Sequence, residues 1–208
     1  LQPALCADAL RLAELLLESA TTSQVEAHAL AALFCFNAAR LSTRLDAEGV
    51  FVPLAQQDRS AWDPMLLARG AAHLGEASSG TELTRWHLEA GIACEHSLAA
   101  SVQETNWARV VELYDALLQR NPGPIVALNR ALALAELHGV EVGRAALLAV
   151  ADDDKVANYP FFWAALADIE RRAGRLSEAR PHYERAVSLA RSRAERVAYE
   201  RKLAQLSE

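Results

Sequence analysis

The 208-residue sequence lacks most of what marks a membrane, secreted or metal-bound protein. No apolar run approaches the roughly 18 residues that suggest a membrane span, and no basic-then-apolar leader opens the chain. The three cysteines, Cys6, Cys35 and Cys94, are odd in number and far apart, so reduced thiols in a cytoplasm are the simplest reading. Positive charge is in deficit: 21 Lys and Arg against 27 Asp and Glu leave a net charge of −6. Such a chain has no global attraction for a phosphate backbone, which argues against nucleic acid as a direct partner. Strand signals are nearly missing as well. Only Gly49 to Leu54 reads as extended, and Pro53 limits that stretch to a short connector. The only methionine is Met65 and the chain starts at Leu1, so the expectation is a fragment or processed form of a longer product.

What fills the chain is the 3.6-residue apolar period of helices. Hydrophobic residues make up 52% of it, enough for one large domain or a small repeat array. Leu5, Leu12, Leu15 and Leu16 form one stripe; Leu30, Leu33, Phe34, Leu41 and Leu45 form a second. Eight more helical stretches fall near 60–75, 81–101, 106–120, 124–138, 141–150, 159–173, 177–190 and 193–206. The breaks at Thr21-Thr22, Asp46 to Gly49, Ser78 to Gly80, Asn121 to Pro124 and Asp152 to Asp154 are turn and cap residues. The fold expected is all-α, with about ten helices in antiparallel pairs stacked as a right-handed solenoid.

One unit, PFFWAALADIERRAGRLSEARPHYERAVSLA at 160–190, follows the 34-residue tetratricopeptide grammar. Trp163, Leu166 and Ala167 take the packing positions of its first helix, Gly174 the turn, and Ala179, Tyr183 and Ala186 the packing face of its second. Small alanines let the two helices approach, while the rings fill gaps between neighbouring pairs. Gly139 stands one repeat earlier, and Tyr114 and Pro122 fit the close of the repeat before. Two positions depart from the grammar: Glu170 replaces an aromatic and Arg144 replaces an alanine. Residues 1–105 are equally helical but do not follow the pattern, so the division expected is a non-consensus region, 1–105, and tetratricopeptide-like repeats with a capping helix, 106–208.

The segment QQDRSAWDP, 56–64, is the most site-like stretch. Ser60 followed by Asp63 resembles a capping box, and Pro64 belongs in a first helical turn. Ser177 and Pro181 repeat that spacing, so both prolines are expected to mark helix starts. No histidine lies near in sequence to activate Ser60. Asp58 and Arg59 are expected to tie the connector to neighbouring helices. His87, Cys94 and His96 share a helix, but Cys94 and His96 point about 200° apart, short of the four convergent ligands of a closed zinc site. Asp152, Asp153 and Asp154 read as a solvated loop and cap. The pair Arg40 and Arg44 reads as surface salt bridges rather than a phosphate site. With no glycine-rich phosphate loop and no HExxH, the expectation is no catalytic, cofactor or metal residue.

Three stretches in series are more specific: QDRSAWD, then NWARVVELYDALLQRNPGPIVALNRALALAELHG, then AALADIERRAGRLSEARPHYERAVSLA with a closing ERVAYERKLAQL. In this order they resemble the C-terminal, tetratricopeptide-like extension of a subgroup of extracytoplasmic-function RNA polymerase sigma factors. Asp58, Arg59, Ser60, Trp62 and Asp63 carry the motif most distinctively, with Asn129-Arg130. The resemblance implies a non-catalytic regulatory appendage acting in transcription initiation. Its partners would be its own upstream sigma domains, polymerase or a regulator. Stacked helix pairs of this type bind partners on an inner surface, here at Asn129, Glu136, Asp168, Arg171 and Arg172. The competing classes are a stand-alone scaffold and a helical enzyme of unfamiliar type. Direct nucleic-acid binding through Arg191, Arg193, Arg196 and Arg201 is weakened by the interleaved Glu195 and Glu200.

Overall fold

The computed structural model describes residues 3–19 and 23–207. Among them all regular structure is helical. Eleven α-helices run in order: α1 Pro3–Glu18, α2 Gln24–Ala39, α3 Pro64–Ala77, α4 Arg85–Leu98, α5 Trp107–Arg120, α6 Pro124–His138, α7 Val140–Leu148, α8 Asp154–Ala157, α9 Pro160–Arg172, α10 Leu176–Leu189 and α11 Arg193–Ala204. The expected break at Thr21-Thr22 lies outside the described residues. The one addition is α8, a single turn whose start is capped by Asp153, which accepts from the Lys155 N–H at 2.9 Å. The extended stretch makes no sheet. It contributes one antiparallel bridge, Leu45 to Phe51, closed by Asp46, whose carboxylate accepts from the main-chain N–H groups of Glu48 and Val50.

The chain divides into two compact units, Leu1–Arg44 with Pro53–Asn121, and Leu45–Val52 with Pro122–Glu208. In the first, α2 is the central helix and packs against α1, α3 and α4, while α4 pairs with α5. Ala32, Leu33 and Phe36 of α2 meet Ala90 of α4 in its core, with Leu67, Leu74 and Trp86 alongside. α1 turns its alanine side to this core. Ala13 is buried and Cys6, Ala9, Leu10 and Leu17 are partly covered. Leu5 and Leu12 are 60% and 62% exposed, and Leu15 and Leu16 are exposed beside them. The helix carries two apolar stripes, and the one built on alanine packs, because small side chains permit close helix approach.

In the second unit, α6 pairs with α7, α9 with α10, and α10 with α11, and α7 also packs on α9. Leu128, Leu147, Phe162, Leu166 and Ile169 form one core cluster; Ala167, Ala179, Tyr183, Ala186 and Tyr199 form another. Trp163 borders both, and its ring N–H donates to the Ala157 carbonyl at 2.9 Å. The turn glycines Gly139 and Gly174 have φ of 95° and 78°, a region that side chains with a Cβ rarely enter. Gly143 serves closeness instead: a Cβ there would stand 2.3 Å from that of Ala135, so α6 and α7 touch where the side chain is missing.

Pro181 corrects its expectation. It lies inside α10 and on an exposed face, not at a helix start. Its missing N–H removes the Ser177 carbonyl's i+4 donor, and α10 begins at Leu176, directly behind the Gly174 turn.

Candidate functional site

The QQDRSAWDP segment folds as a clasp. Asp63, not Ser60, is the cap of α3: its carboxylate accepts from the Met65 and Leu66 N–H groups at 2.9 and 3.1 Å, with Pro64 in the first turn. Ser60 sits one step earlier, in a 3-10 turn at Arg59–Ala61, where its hydroxyl donates to Asp58 at 2.6 Å. A capping oxygen must lie directly before the first turn, and Pro64 fixes where that turn begins. Those bonds from Ser60 hold the Asp58 carboxyl below the usual carboxylate range.

Trp62 is buried, and its ring N–H donates to the Thr43 hydroxyl at 3.0 Å. The Asp63 N–H donates to the Ala39 carbonyl at 2.9 Å, meeting one of the orphan acceptors at the end of α2. Arg59 does the same for α4. Its Nη1 donates to the carbonyls of His96 and Ala99 at 2.5 and 2.6 Å, and its guanidinium lies 5.2 Å from the Trp62 ring centre. A cation at a helix C-terminus is favoured by the helix dipole. The motif therefore fastens the ends of α2 and α4.

Around Arg59 lies a group that the sequence reading did not assemble. Arg40 and Arg44 both donate to Asn37 Oδ1, at 3.0 and 2.9 Å. They are half-buried, and among the described residues no carboxylate is within ion-pair distance of either; the surface salt bridges expected of them are not formed. Burial, with Arg44 and Arg59 near by, lowers the Arg40 pKa to about 10, against an opposing pull from Tyr114. His96 packs edge-on to Trp107, with ring centres 5.3 Å apart. Burial and then the charges of Arg40 and Arg59 push its pKa down to about 4, so the ring is neutral at pH 7. These residues span 37 to 96 in the chain, and no periodic signal links them.

The other candidates scatter. His87 is spent on α4's own start, where its ring meets the Thr84 main-chain N–H and hydroxyl. Among the described residues no three His, Cys, Asp or Glu side chains gather as a metal site. All three cysteines are free, and burial raises Cys35 to about 11.

In the second unit, four of the five partner-binding candidates are engaged in ion pairs. Arg172 Nη1 reaches Glu136 across α6 and α9 at 2.5 Å. Asp168 accepts from Arg171 at 2.9 Å, and Lys202 of α11 stands 3.8 Å away. Asn129 is half-buried on α6. Arg201 pairs with Asp46 and Glu48 at 2.7 and 3.3 Å. Glu170 is 1% exposed, gripped by Arg144 Nε at 2.6 Å and by Arg175 Nε, while Arg175 also reaches Glu141 at 2.6 Å. Burial alone would raise the Glu170 carboxyl; the bonds from Arg144 and Arg175 outweigh it and hold the group below its ordinary pKa. The two departures from the repeat grammar are thus each other's partners. Repeat alignment could have found them, since a buried acid needs a base opposite.

Residues 1–78, which contain α1 to α3 and the clasp, match a family of unknown function (DUF6596). Over 191 residues the chain is 30% identical to an uncharacterized protein of Rhizobium meliloti, a match that covers 92% of this chain and 44% of that protein. The chain therefore spans less than half the length of this curated relative. No helix among the described residues is long and apolar enough to cross a membrane.

Proposed function

We propose that this chain is a non-catalytic protein-contacting extension of an extracytoplasmic-function sigma factor, acting in transcription initiation through its own sigma domains. The observation that carries the contact role is the leucine row of α1. Leu5, Leu12, Leu15 and Leu16 are exposed on one helix, and large apolar side chains gathered on one exposed surface mark a protein contact. The paired helices support the same reading, since such stacks serve as binding scaffolds. The length of the Rhizobium meliloti relative, of which the match covers 44%, supports further segments in proteins of this kind. The polar positions Asn129, Glu136, Asp168, Arg171 and Arg172 offer a second surface of the same module.

Reporter transcription from the full-length factor tests this, compared with a truncation lacking residues 1–208 and with a variant carrying Leu5, Leu12, Leu15 and Leu16 all changed to Gln. The leucines are outside the core, so the variant keeps its helical spectrum. Output is expected to fall in both. Normal output from the truncation, or specific promoter binding by the isolated chain, would overturn the assignment.

A further inference from the structure

Arg40, Arg44 and Arg59 come to one neighbourhood from the end of α2, from just behind the 3-10 turn at Leu41–Thr43, and from the clasp. Arg40 is within electrostatic range of both others. The acceptors built around them are neutral: one amide oxygen, Asn37 Oδ1, serves Arg40 and Arg44, and two main-chain carbonyls serve Arg59. The acidic group whose field reaches Arg59 is Glu104, on an exposed loop. Two guanidinium atoms, Arg44 Nε and Arg59 Nη2, are buried and meet no acceptor within the protein, and the same holds for His96 Nδ1.

A buried donor without an acceptor costs more than a hydrogen bond is worth, and more again when it carries charge. Like charges brought together away from water add to that cost. One bound anion would relieve both. We propose that Arg40, Arg44 and Arg59 form a binding site for a phosphate-type oxyanion, either inorganic phosphate or the phosphate of a small phosphomonoester.

The charge balance selects the class. A carboxylate brings one negative charge and two oxygens to three guanidinium groups. A phosphate brings between one and two charges near neutral pH and more acceptor oxygens, and the planar fork of arginine matches it. The neutral ring of His96 adds a donor when Nδ1 carries its proton. The site stands apart from the proposed role in transcription, and its test does not use that role.

The test is phosphorus NMR of inorganic phosphate titrated with the 208-residue chain in chloride buffer at fixed ionic strength, paired with thermal melts. Saturable broadening of the phosphate line and a rise in Tm are expected. Sulfate should compete and acetate should not. Arg44→Gln removes one fork and should weaken binding by about tenfold or more, while Arg109→Gln, which alters an exposed pair with Glu112, should leave it unchanged. If Arg44→Gln fails to fold, Arg44→Lys keeps the charge, loses the fork and answers the same comparison. A phosphomonoester that competes marks a site open to esterified phosphate; one that does not marks a site for the free ion. The proposal is overturned if phosphate does not bind saturably, if acetate competes equally, or if wild type and the Arg44 variant bind alike.

Discussion

In the unit that holds α6 to α11, Arg144, Arg171, Arg172, Arg175 and Arg201 each face a carboxylate. In the unit that holds α1 to α5, Arg40, Arg44 and Arg59 face an amide and the carbonyls of a helix end. The same side chain thus does two jobs. Against carboxylates it ties residues within a helix, as Arg171 does, or links separate elements, as Arg144 and Arg172 do, so that its charge is cancelled where it is used. Against neutral acceptors the charge remains, and burial first, with Arg44 and Arg59 beside it, lowers the Arg40 pKa to about 10. The difference teaches that positive charge left over inside a fold, rather than positive charge on a surface, is the informative signal in an acidic protein.

Several substitutions sharpen or break that contrast. The largest effect belongs to neither charge system: Tyr183→Ala empties a fully buried ring site between α9, α10 and α11 and is expected to cost about 4 kcal/mol, read by urea denaturation. Trp163→Ala, half-buried, should cost about 3 kcal/mol. Next comes Glu170→Ala, which strands Arg144 and Arg175 against a buried site and should cost about 3 kcal/mol. The double change Glu170→Phe with Arg144→Ala restores the repeat grammar and should recover most of that loss. A double variant no better than the single one would mean that the two residues are not coupled.

Acid separates the units more gently. His96 has its folded pKa lowered to about 4, against roughly 6.5 in an unfolded chain. The unfolded state therefore binds the extra proton first, and the first unit should lose stability as pH falls from 6.5 towards 4. His73 in the same unit, and His182 in the other, are lowered by burial and act in the same sense. Glu170 acts in the same sense but in a lower window: its depressed pKa contributes stability above the ordinary carboxylate range and loses it only as pH falls below. Hydrogen exchange at pH 7 and pH 5 should show protection lost earlier near α4 than near α9, and His96→Gln should flatten that difference. Equal loss in both places would remove the contrast. The smallest effects are in the clasp, where Asp63→Ala should cost about 1 kcal/mol and Ser60→Ala less than about 0.5 kcal/mol, by thermal melts. The reverse order would return the cap to Ser60.

Much of the helical layout was legible, because a 3.6-residue period with caps at its breaks leaves few alternatives. Asn106 at the start of α5 and Gly139 between α6 and α7 stand where such signals belong. The four-residue α8 was not, since a single turn carries no period. Which face of α1 packs was not legible, because leucine outweighs alanine on any hydrophobicity count, whereas packing favours the smaller side chain where helices come close. Asp63 was within reach of sequence reasoning: Pro64 at the first helical position makes its predecessor the cap. The arginine group was out of reach. Arg59 and His96 reach the local Asn37, Arg40 and Arg44 cluster only through tertiary folding, and an Arg pair four apart reads as exposed until its surroundings are known.

The Arg144–Glu170 pair also bears on how far these repeats are interchangeable. It joins α7 to α9, so each member belongs to a different helical hairpin. A hairpin lifted out and replaced by a consensus unit would carry away one ion and leave the other facing an aromatic ring or a methyl group. Modular exchange, which repeat proteins ordinarily tolerate, is here restricted to blocks that keep both hairpins together.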